Sequence, residues 1–169
     1  LSVYSADAGT LLKATDLTTS ITGGSIEVSG FRKGGHDAPW KGIAEMKRYN
    51  LSNAPVFARL MSLASLSGIT NALKGQGIKF RLLRLPYQYQ NEIVKITDAL
   101  AKGSELGITA SGAVNFRENM INVNGTIVPA YTLNSFIGKV PIIGPVVGPV
   151  LTGEKGGGIL AAAYEVQGP

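Results

Sequence analysis

The residue types that carry out most enzymatic chemistry are few in this chain and lie far apart. Its 169 residues contain no cysteine and one histidine, His36, in a glycine-rich turn. The absence of cysteine excludes disulfides, thiolate metal ligands and a cysteine nucleophile. The aspartates lie mostly at predicted helix caps or turns: Asp7, Asp16, Asp37 and Asp98. Since catalysis needs such groups together, we expect no catalytic residues, no metal site and no cofactor, and a protein that is not an enzyme.

One glycine-rich segment superficially resembles a phosphate-binding loop. Residues 148–156 read Gly-Pro-Val-Leu-Thr-Gly-Glu-Lys-Gly. A phosphate loop places a lysine directly after its second glycine and a serine or threonine next. Glu154 occupies the place of that lysine, so no phosphate site is expected, and the glycines at 156–158 are interpreted as a flexible entry into the last strand.

The chain is basic, with a net charge of +5 and a pI near 9.5. Its basic residues are spread along the sequence and only loosely grouped between Lys33 and Arg48. Two interpretations stay open, an ordinary solvated surface and an attraction to anionic lipid headgroups. Nucleic acid is not expected as a partner, because no stacking aromatic residues interleave with the charges.

Alternating apolar and polar residues predict a mostly antiparallel sheet. The predicted strands cover residues 1–5, 25–31, 39–50, 78–89, 93–101, 106–116, 120–128 and 158–167. Short turns between the later strands favour an antiparallel meander. Each strand has one apolar side and one polar side, as in a sheet that contacts water on one face.

The alternation is irregular in two of these strands. In 39–50, Met46 is expected on one face and Tyr49 on the other. In 78–89, Phe80 and Leu82 are expected to share a face, and the pattern slips near Leu83, which indicates a β-bulge.

Helices are predicted at four places, one of which is a short helix that includes Ile69, Ala72 and Leu73. Asp7 is a suitable N-cap for a helix that includes Leu11 and Leu12. The strongest pattern covers 53–65, with Pro55 in the first turn and a wide apolar face. A single turn is expected at 133–137.

A long apolar segment follows the strand that is expected to stop at Pro129. Residues 133–151 are interrupted by prolines and glycines, and they are too short for a bilayer span, which needs roughly 20 apolar residues. We expect this segment to lie on an apolar surface, which is the sheet, a lipid or a membrane.

The elements predicted from the sequence cannot cover one whole face of the sheet. About eight strands at ~4.8 Å spacing span about 35 Å, and a helix covers about 10 Å of that width. The sequence therefore predicts an α+β fold. Its curved, predominantly antiparallel sheet forms a hydrophobic groove, with an amphipathic helix and a short C-terminal helical segment packed on the apolar face.

Several pieces of the C-terminal third resemble the C-terminal signature of the AsmA-like superfamily, the bacterial envelope proteins with a YhdP-type C-terminal region. The matching pieces are Gly-Thr-Ile-Val-Pro-Ala-Tyr at 125–131, Leu-Asn-Ser at 133–135, Gly-Lys-Val-Pro-Ile-Ile-Gly at 138–144, Leu-Thr-Gly at 151–153, Gly-Gly-Gly-Ile at 156–159 and Tyr-Glu-Val-Gln-Gly-Pro at 164–169. Segments 6–12 and 54–64 resemble the preceding part of the family more loosely. The doubled Gly-Pro-Val at 144–150 departs from the family pattern.

This resemblance implies a single domain, residues 1–169, that is a fragment of a longer protein. Proteins of this family are periplasmic, are anchored in the inner membrane of Gram-negative bacteria, and are implicated in carrying phospholipid to the outer membrane through a hydrophobic β-groove. We therefore expect a module that binds phospholipid acyl chains as part of a bridge between the two membranes. The alternative is a docking module that uses 133–151 to contact an outer-membrane protein or the membrane surface.

The residues expected to contact lipid come from the strands, the main helix and the apolar segment. The strand residues are Phe80, Leu82, Ile108, Val114, Ile121, Val123, Leu160 and Tyr164. The helix and segment residues are Phe57, Leu60, Met61, Ile142, Ile143 and Val146.

Overall fold

The structure is a computed structural model that describes residues 1–35, 37–52, 77–129, 149–152 and 159–169. Within these ranges the chain forms a mostly antiparallel sheet that does not close on itself, with one short helix, α1 (Ala8–Ala14). The strands are β1 (Ser2–Ser5), β2 (Ile21–Thr22), β3 (Ser25–Arg32), β4 (Trp40–Leu51), β5 (Ile78–Gln90), β6 (Ile93–Gly103), β7 (Leu106–Asn115), β8 (Met120–Pro129), β9 (Pro149–Thr152) and β10 (Ile159–Gly168). The predicted helices at 53–65 and 133–137, and the short helix that includes Ile69, lie outside the described residues.

The strand order confirms the predicted meander and adds one departure from it. Neighbours follow the order β1-β3-β4-β5-β6-β7-β8-β10-β9, and β2 pairs with β4. The strand β9 pairs with β10 at the edge. Residues 149–151 were expected to lie on an apolar surface, and that prediction is wrong because they form this edge strand. Pro149 begins it, where an edge position tolerates a residue without an N–H.

The helix α1 begins at the N-cap predicted from the sequence. Asp7 Oδ1 accepts a hydrogen bond from the Thr10 backbone N–H at 3.0 Å, and Oδ2 accepts one from the Thr10 hydroxyl at 2.9 Å. These bonds favour the ionised carboxylate and lower the pKa of Asp7. A Cβ on Gly9 would lie 2.8 Å from the Cα of Thr22, so only glycine allows the helix to approach β2 this closely.

A left-handed residue in β4 changes which side chains face the core. Arg48 has a φ of 53°, and the strand resumes its pairing on either side of it. As a result Met46 and Tyr49, three residues apart, are both buried in one cluster. The prediction that Tyr49 lies on the other face is wrong, because simple alternation takes no account of this residue.

The neighbouring strand β5 makes a matching change through a bulge between Phe80 and Leu82. Phe80 stacks on Tyr49, with ring centroids 5.2 Å apart and planes inclined by 6°. Leu83 packs against the same cluster, whereas Leu82 pairs in register with Lys47 and Lys102. The predicted sharing of a face by Phe80 and Leu82 is therefore wrong, since the first irregularity comes before Leu82. A second register shift between β5 and β6, between Arg84 and Tyr87, lies close to the slip predicted near Leu83.

The buried core lies at the end of the sheet near α1. It contains side chains from the helix and from strands β3 to β8: Ala8, Ile26, Met46, Tyr49, Ile78, Phe80, Ala101, Leu106 and Ile127. Leu11 and Leu12 of α1 pack against it. The helix therefore helps to cover the apolar side of the sheet at β3 and β4.

Gly42→Ala tests one of the close approaches between strands. A Cβ at Gly42 would meet the Ser29 carbonyl oxygen and lie 2.7 Å from the Tyr87 ring. Overpacking of this kind costs roughly 1–3 kcal/mol, so we expect the free energy of unfolding, measured in urea, to fall by about 2 kcal/mol.

Gly35→Ala is the matched control, because a Cβ at Gly35 would meet nothing within 4 Å. We expect its free energy of unfolding to stay within about 0.5 kcal/mol of the wild type. Equal urea midpoints for the two variants would contradict the packing described at Gly42.

Candidate functional site

One face of the sheet, called the apolar face below, is built from rows of apolar residues that cross many strands. Residues paired across antiparallel strands project to the same side. The longest row crosses seven strands through Ile26, Met46, Leu83, Ala101, Ile108, Ile127 and Ala162. A second row contains Gly42, Tyr87, Ile96, Gly112, Val123 and Val166. Neither row, as far as the structure describes it, contains a charged residue.

A third row lies nearer the hairpin turns. It contains Trp40, Tyr89, Val94, Val114 and Ile121. Arg32 of β3 pairs with Trp40, and its guanidinium carbon lies 5.2 Å from the centroid of the Trp40 ring. Its charge therefore lies at the end of the face, against an aromatic ring.

The opposite face, called the polar face, carries the charges of the same strands. One row contains Glu27, Glu45, Arg84, Leu100 and Thr109, and another contains Lys41, Gln88, Lys95, Ala113, Asn122 and Gln167. The Lys47 Nζ lies 2.8 Å from Glu45 Oε1, and the hydrogen bond to Glu45 raises the pKa of Lys47. The sheet is thus strongly amphipathic.

Burial decreases along the apolar face, away from α1. Phe80, Ile78 and Leu106 are buried almost completely at the α1 end. Val94, Val114 and Ile121 of the third row are half-buried, and Tyr89 is exposed. The part of this face next to the hairpin turns is therefore the part most accessible to a ligand.

Three aromatic side chains of the apolar face lie opposite glycines on the neighbouring strand. Tyr87 pairs with Gly42, Phe80 with Gly103, and Tyr164 with Gly125. A Cβ at Gly125 would lie 2.7 Å from the Tyr164 hydroxyl oxygen, and a Cβ at Gly103 would lie 3.3 Å from the Phe80 ring. The glycines leave room for the rings against the backbone, an arrangement used to stabilise glycines in sheets.

The two tyrosines reach past their glycine partners to the strand beyond. The Tyr164 hydroxyl of β10 donates to the Thr109 carbonyl of β7 at 2.7 Å, and the Tyr87 hydroxyl of β5 donates to the Ser29 carbonyl of β3 at 3.3 Å. Each ring must therefore lie flat across one intervening strand. The consequence is a smooth apolar surface whose polar hydroxyls are used internally.

Burial keeps the hydroxyl groups of Tyr164 and Tyr49 protonated. Desolvation raises the pKa of Tyr164 to about 12 and also raises the pKa of Tyr49. A protonated, hydrogen-bonded phenol that faces a backbone carbonyl stabilises the sheet and offers no nucleophile.

The structure brings together five of the residues predicted to contact lipid. Ile108, Val114, Ile121, Val123 and Tyr164 all lie on the apolar face, in rows that neighbour one another. Phe80 lies on the same side, buried in the core.

The other predicted contacts divide into three groups. Leu82 lies on the polar face, as described above. Leu160 is paired in register with Leu151 of β9. The remaining six lie outside the described residues: Phe57, Leu60, Met61, Ile142, Ile143 and Val146.

Sequence reasoning missed the contribution of β6 to the apolar face. Val94 and Ile96 alternate as a strand should, but the pattern then breaks at a bulge between Ile96 and Ala99. Asp98 has a φ of 51°, and its backbone N–H donates a hydrogen bond to the Ser111 hydroxyl at 3.2 Å. An aspartate in an apolar strand was the available signal for this bulge.

Two further features bear on function. Among the residues that the structure describes, no three His, Cys, Asp or Glu side chains lie close enough together to hold a metal ion. None of the described segments forms a helix with the length and hydropathy needed to cross a membrane.

Comparison of the chain with protein-family models, with curated proteins and with solved structures finds no match. The features that bear on function are therefore the geometry of the two faces and the resemblance noted in the sequence.

Tyr164→Phe tests the buried phenol through the pH dependence of stability. The pKa of Tyr164 is raised in the folded state, so its stabilising contribution is complete below the unfolded pKa of about 10 and is lost as the pH rises toward 12. At pH 8 the variant should lose about 1 kcal/mol of unfolding free energy with the hydrogen bond.

Between pH 10 and pH 12 the free energy of unfolding of the variant should fall less steeply than that of the wild type. Urea titrations at pH 8 and pH 11 measure both effects. If the free energy of unfolding falls equally in the variant and the wild type between pH 8 and pH 11, folding does not raise the pKa of Tyr164, and the prediction is contradicted.

Proposed function

We propose that the chain is a non-enzymatic lipid-binding and lipid-transport module that holds phospholipid acyl chains on its apolar face. The observation that carries this proposal is the set of uncharged rows across an unclosed sheet, with the charges of the same strands on the other side. A large apolar face that stays partly accessible to solvent is typical of an interaction site.

The dimensions of the apolar face suit an acyl chain. Seven strands at ~4.8 Å spacing give a row about 29 Å long. The acyl chains of one leaflet extend through half of a hydrocarbon core about 30 Å thick. Either uncharged row is therefore long enough to accept a chain lying across the strands.

The chemistry of the face supports passive movement of lipid and not its modification. Without charges or free hydroxyls along the rows, no position binds a hydrocarbon chain much more tightly than the next, and the chain slides. The headgroup stays in water, because its burial without partners is costly. In this mechanism the protein supplies a shaped apolar surface, and no cofactor takes part.

The resemblance to the AsmA-like superfamily supplies a cellular setting for the proposal. The module belongs to a periplasmic bridge between the inner and outer membranes, in a parent protein anchored in the inner membrane. The apolar face is then one section of a longer hydrophobic groove, and its partners are phospholipid and the outer-membrane side of the envelope. The alternative docking function of 133–151 depends on residues that lie outside the described part, apart from 149–151.

Val114→Asp and Ala113→Asp form a matched pair that tests the proposal. These neighbours on β7 project to opposite faces, because Val114 pairs with Val94 and Ile121, whereas Ala113 pairs with Lys95 and Asn122. A carboxylate on the apolar face places a charge beside the acyl chain, at a cost of several kcal/mol if the charge is desolvated. Binding of a phospholipid with a fluorescent acyl chain should weaken at least tenfold in Val114→Asp.

Ala113→Asp should bind the fluorescent phospholipid as the wild type does. Circular dichroism establishes that both variants keep the sheet. Equal binding by two folded variants would contradict the assignment of the apolar face as the lipid site.

A further inference from the structure

Three hairpin turns lie at the same end of the sheet and are tied together by hydrogen bonds. They connect β3 to β4, β5 to β6, and β7 to β8. Gln90 Nε2 donates to the Asp37 carbonyl at 2.8 Å, and the Phe116 N–H donates to the Glu92 carbonyl at 2.9 Å. Arg117 Nε also lies 3.4 Å from Glu92 Oε2. These contacts link the turns into one continuous edge, called the turn rim below.

Four large apolar side chains of the turn rim are exposed to solvent. Phe31 is 61% exposed, Phe116 56%, Met120 44% and Tyr89 39%. They come from three different hairpins and lie at one end of the sheet. Exposed apolar side chains spread along one edge are typical of a surface that contacts a partner.

The charges near these side chains are predominantly positive. The basic residues at this end of the strands are Arg32, Lys33, Lys41, Lys95 and Arg117. The acidic residues there are Asp37, Glu92 and Glu118. The combination of exposed aromatic and apolar side chains with surrounding lysine and arginine is that of proteins that bind the interface of an anionic membrane.

We infer that the turn rim lies on the surface of a bilayer that contains anionic phospholipid. Phe31, Phe116 and Met120 insert among the headgroups, and the basic side chains contact lipid phosphates. This inference builds on the proposed function, because the accessible third row of the apolar face lies beside this rim. Contact with the bilayer would then bring a lipid leaflet directly to the open end of that face.

Vesicle co-sedimentation of the 169-residue chain tests the inference. The probe is a vesicle of phosphatidylethanolamine and phosphatidylglycerol, compared with a vesicle of phosphatidylcholine alone. We expect the wild type to bind the anionic vesicles at least tenfold more tightly, and the difference to shrink as salt is added.

The double variant Phe116→Ser, Met120→Ser should bind anionic vesicles about tenfold more weakly, since it loses its inserted side chains. Leu17→Ser is the matched control, because Leu17 is 63% exposed at the opposite end of the sheet. It should bind as the wild type does. All three substituted side chains are exposed, so we expect the fold to be retained, and circular dichroism verifies it.

The double variant Lys33→Gln, Arg117→Gln tests the charges. Each basic residue near an anionic surface contributes about 1 kcal/mol, so removing two should weaken binding by more than tenfold at low salt. Lys13→Gln, in the last turn of α1, removes a charge at the other end of the sheet and should leave binding unchanged.

The result separates this inference from the proposed function. Rim variants that bind vesicles as tightly as the wild type would overturn the inference, whether or not they load the fluorescent phospholipid. Rim variants that lose vesicle binding and still load monomeric phospholipid would support it. Loss of phospholipid loading in the wild type, with vesicle binding intact, would instead refute the proposed function.

Discussion

The structure depends on the segregation of apolar and charged side chains to opposite sides of an open sheet. On the apolar face, the row that contains Ile26 and the row that contains Gly42 have no charged residue. Glu45, Arg84 and Lys95 lie on the polar face. A shift of one residue in register would exchange the two faces. The left-handed residue Arg48 and the bulges in β5 and β6 preserve this segregation where simple alternation fails.

The aromatic–glycine pairs explain how this face stays smooth as well as apolar. Tyr87 and Tyr164 use their hydroxyls on backbone carbonyls of the strand beyond, so their rings lie down across the sheet. The same packing excludes any side chain at Gly42 and Gly125. A smooth face without charged groups suits a mobile hydrocarbon chain better than a fixed polar ligand, which needs placed hydrogen-bond partners.

Much of the sheet could be predicted from the sequence, because strands such as β7 and β8 alternate strictly and end at turns or at Pro129. The N-cap at Asp7 was equally clear. Tyr49 and Leu82 were placed on the wrong faces because a left-handed residue or a bulge changes the phase of a strand without a strong signal in its composition. The edge strand β9 was missed since Pro149 and its neighbours lack the alternation of a half-buried strand, and its pairing with β10 is a tertiary property.

Native mass spectrometry of the purified chain, followed by lipid extraction, tests the central claim most directly. We expect masses that exceed that of the polypeptide by whole phospholipids, and phospholipid in the extract. A folded, monomeric chain with only the polypeptide mass, even after incubation with phospholipid, would contradict it, because an accessible apolar face should then have retained lipid.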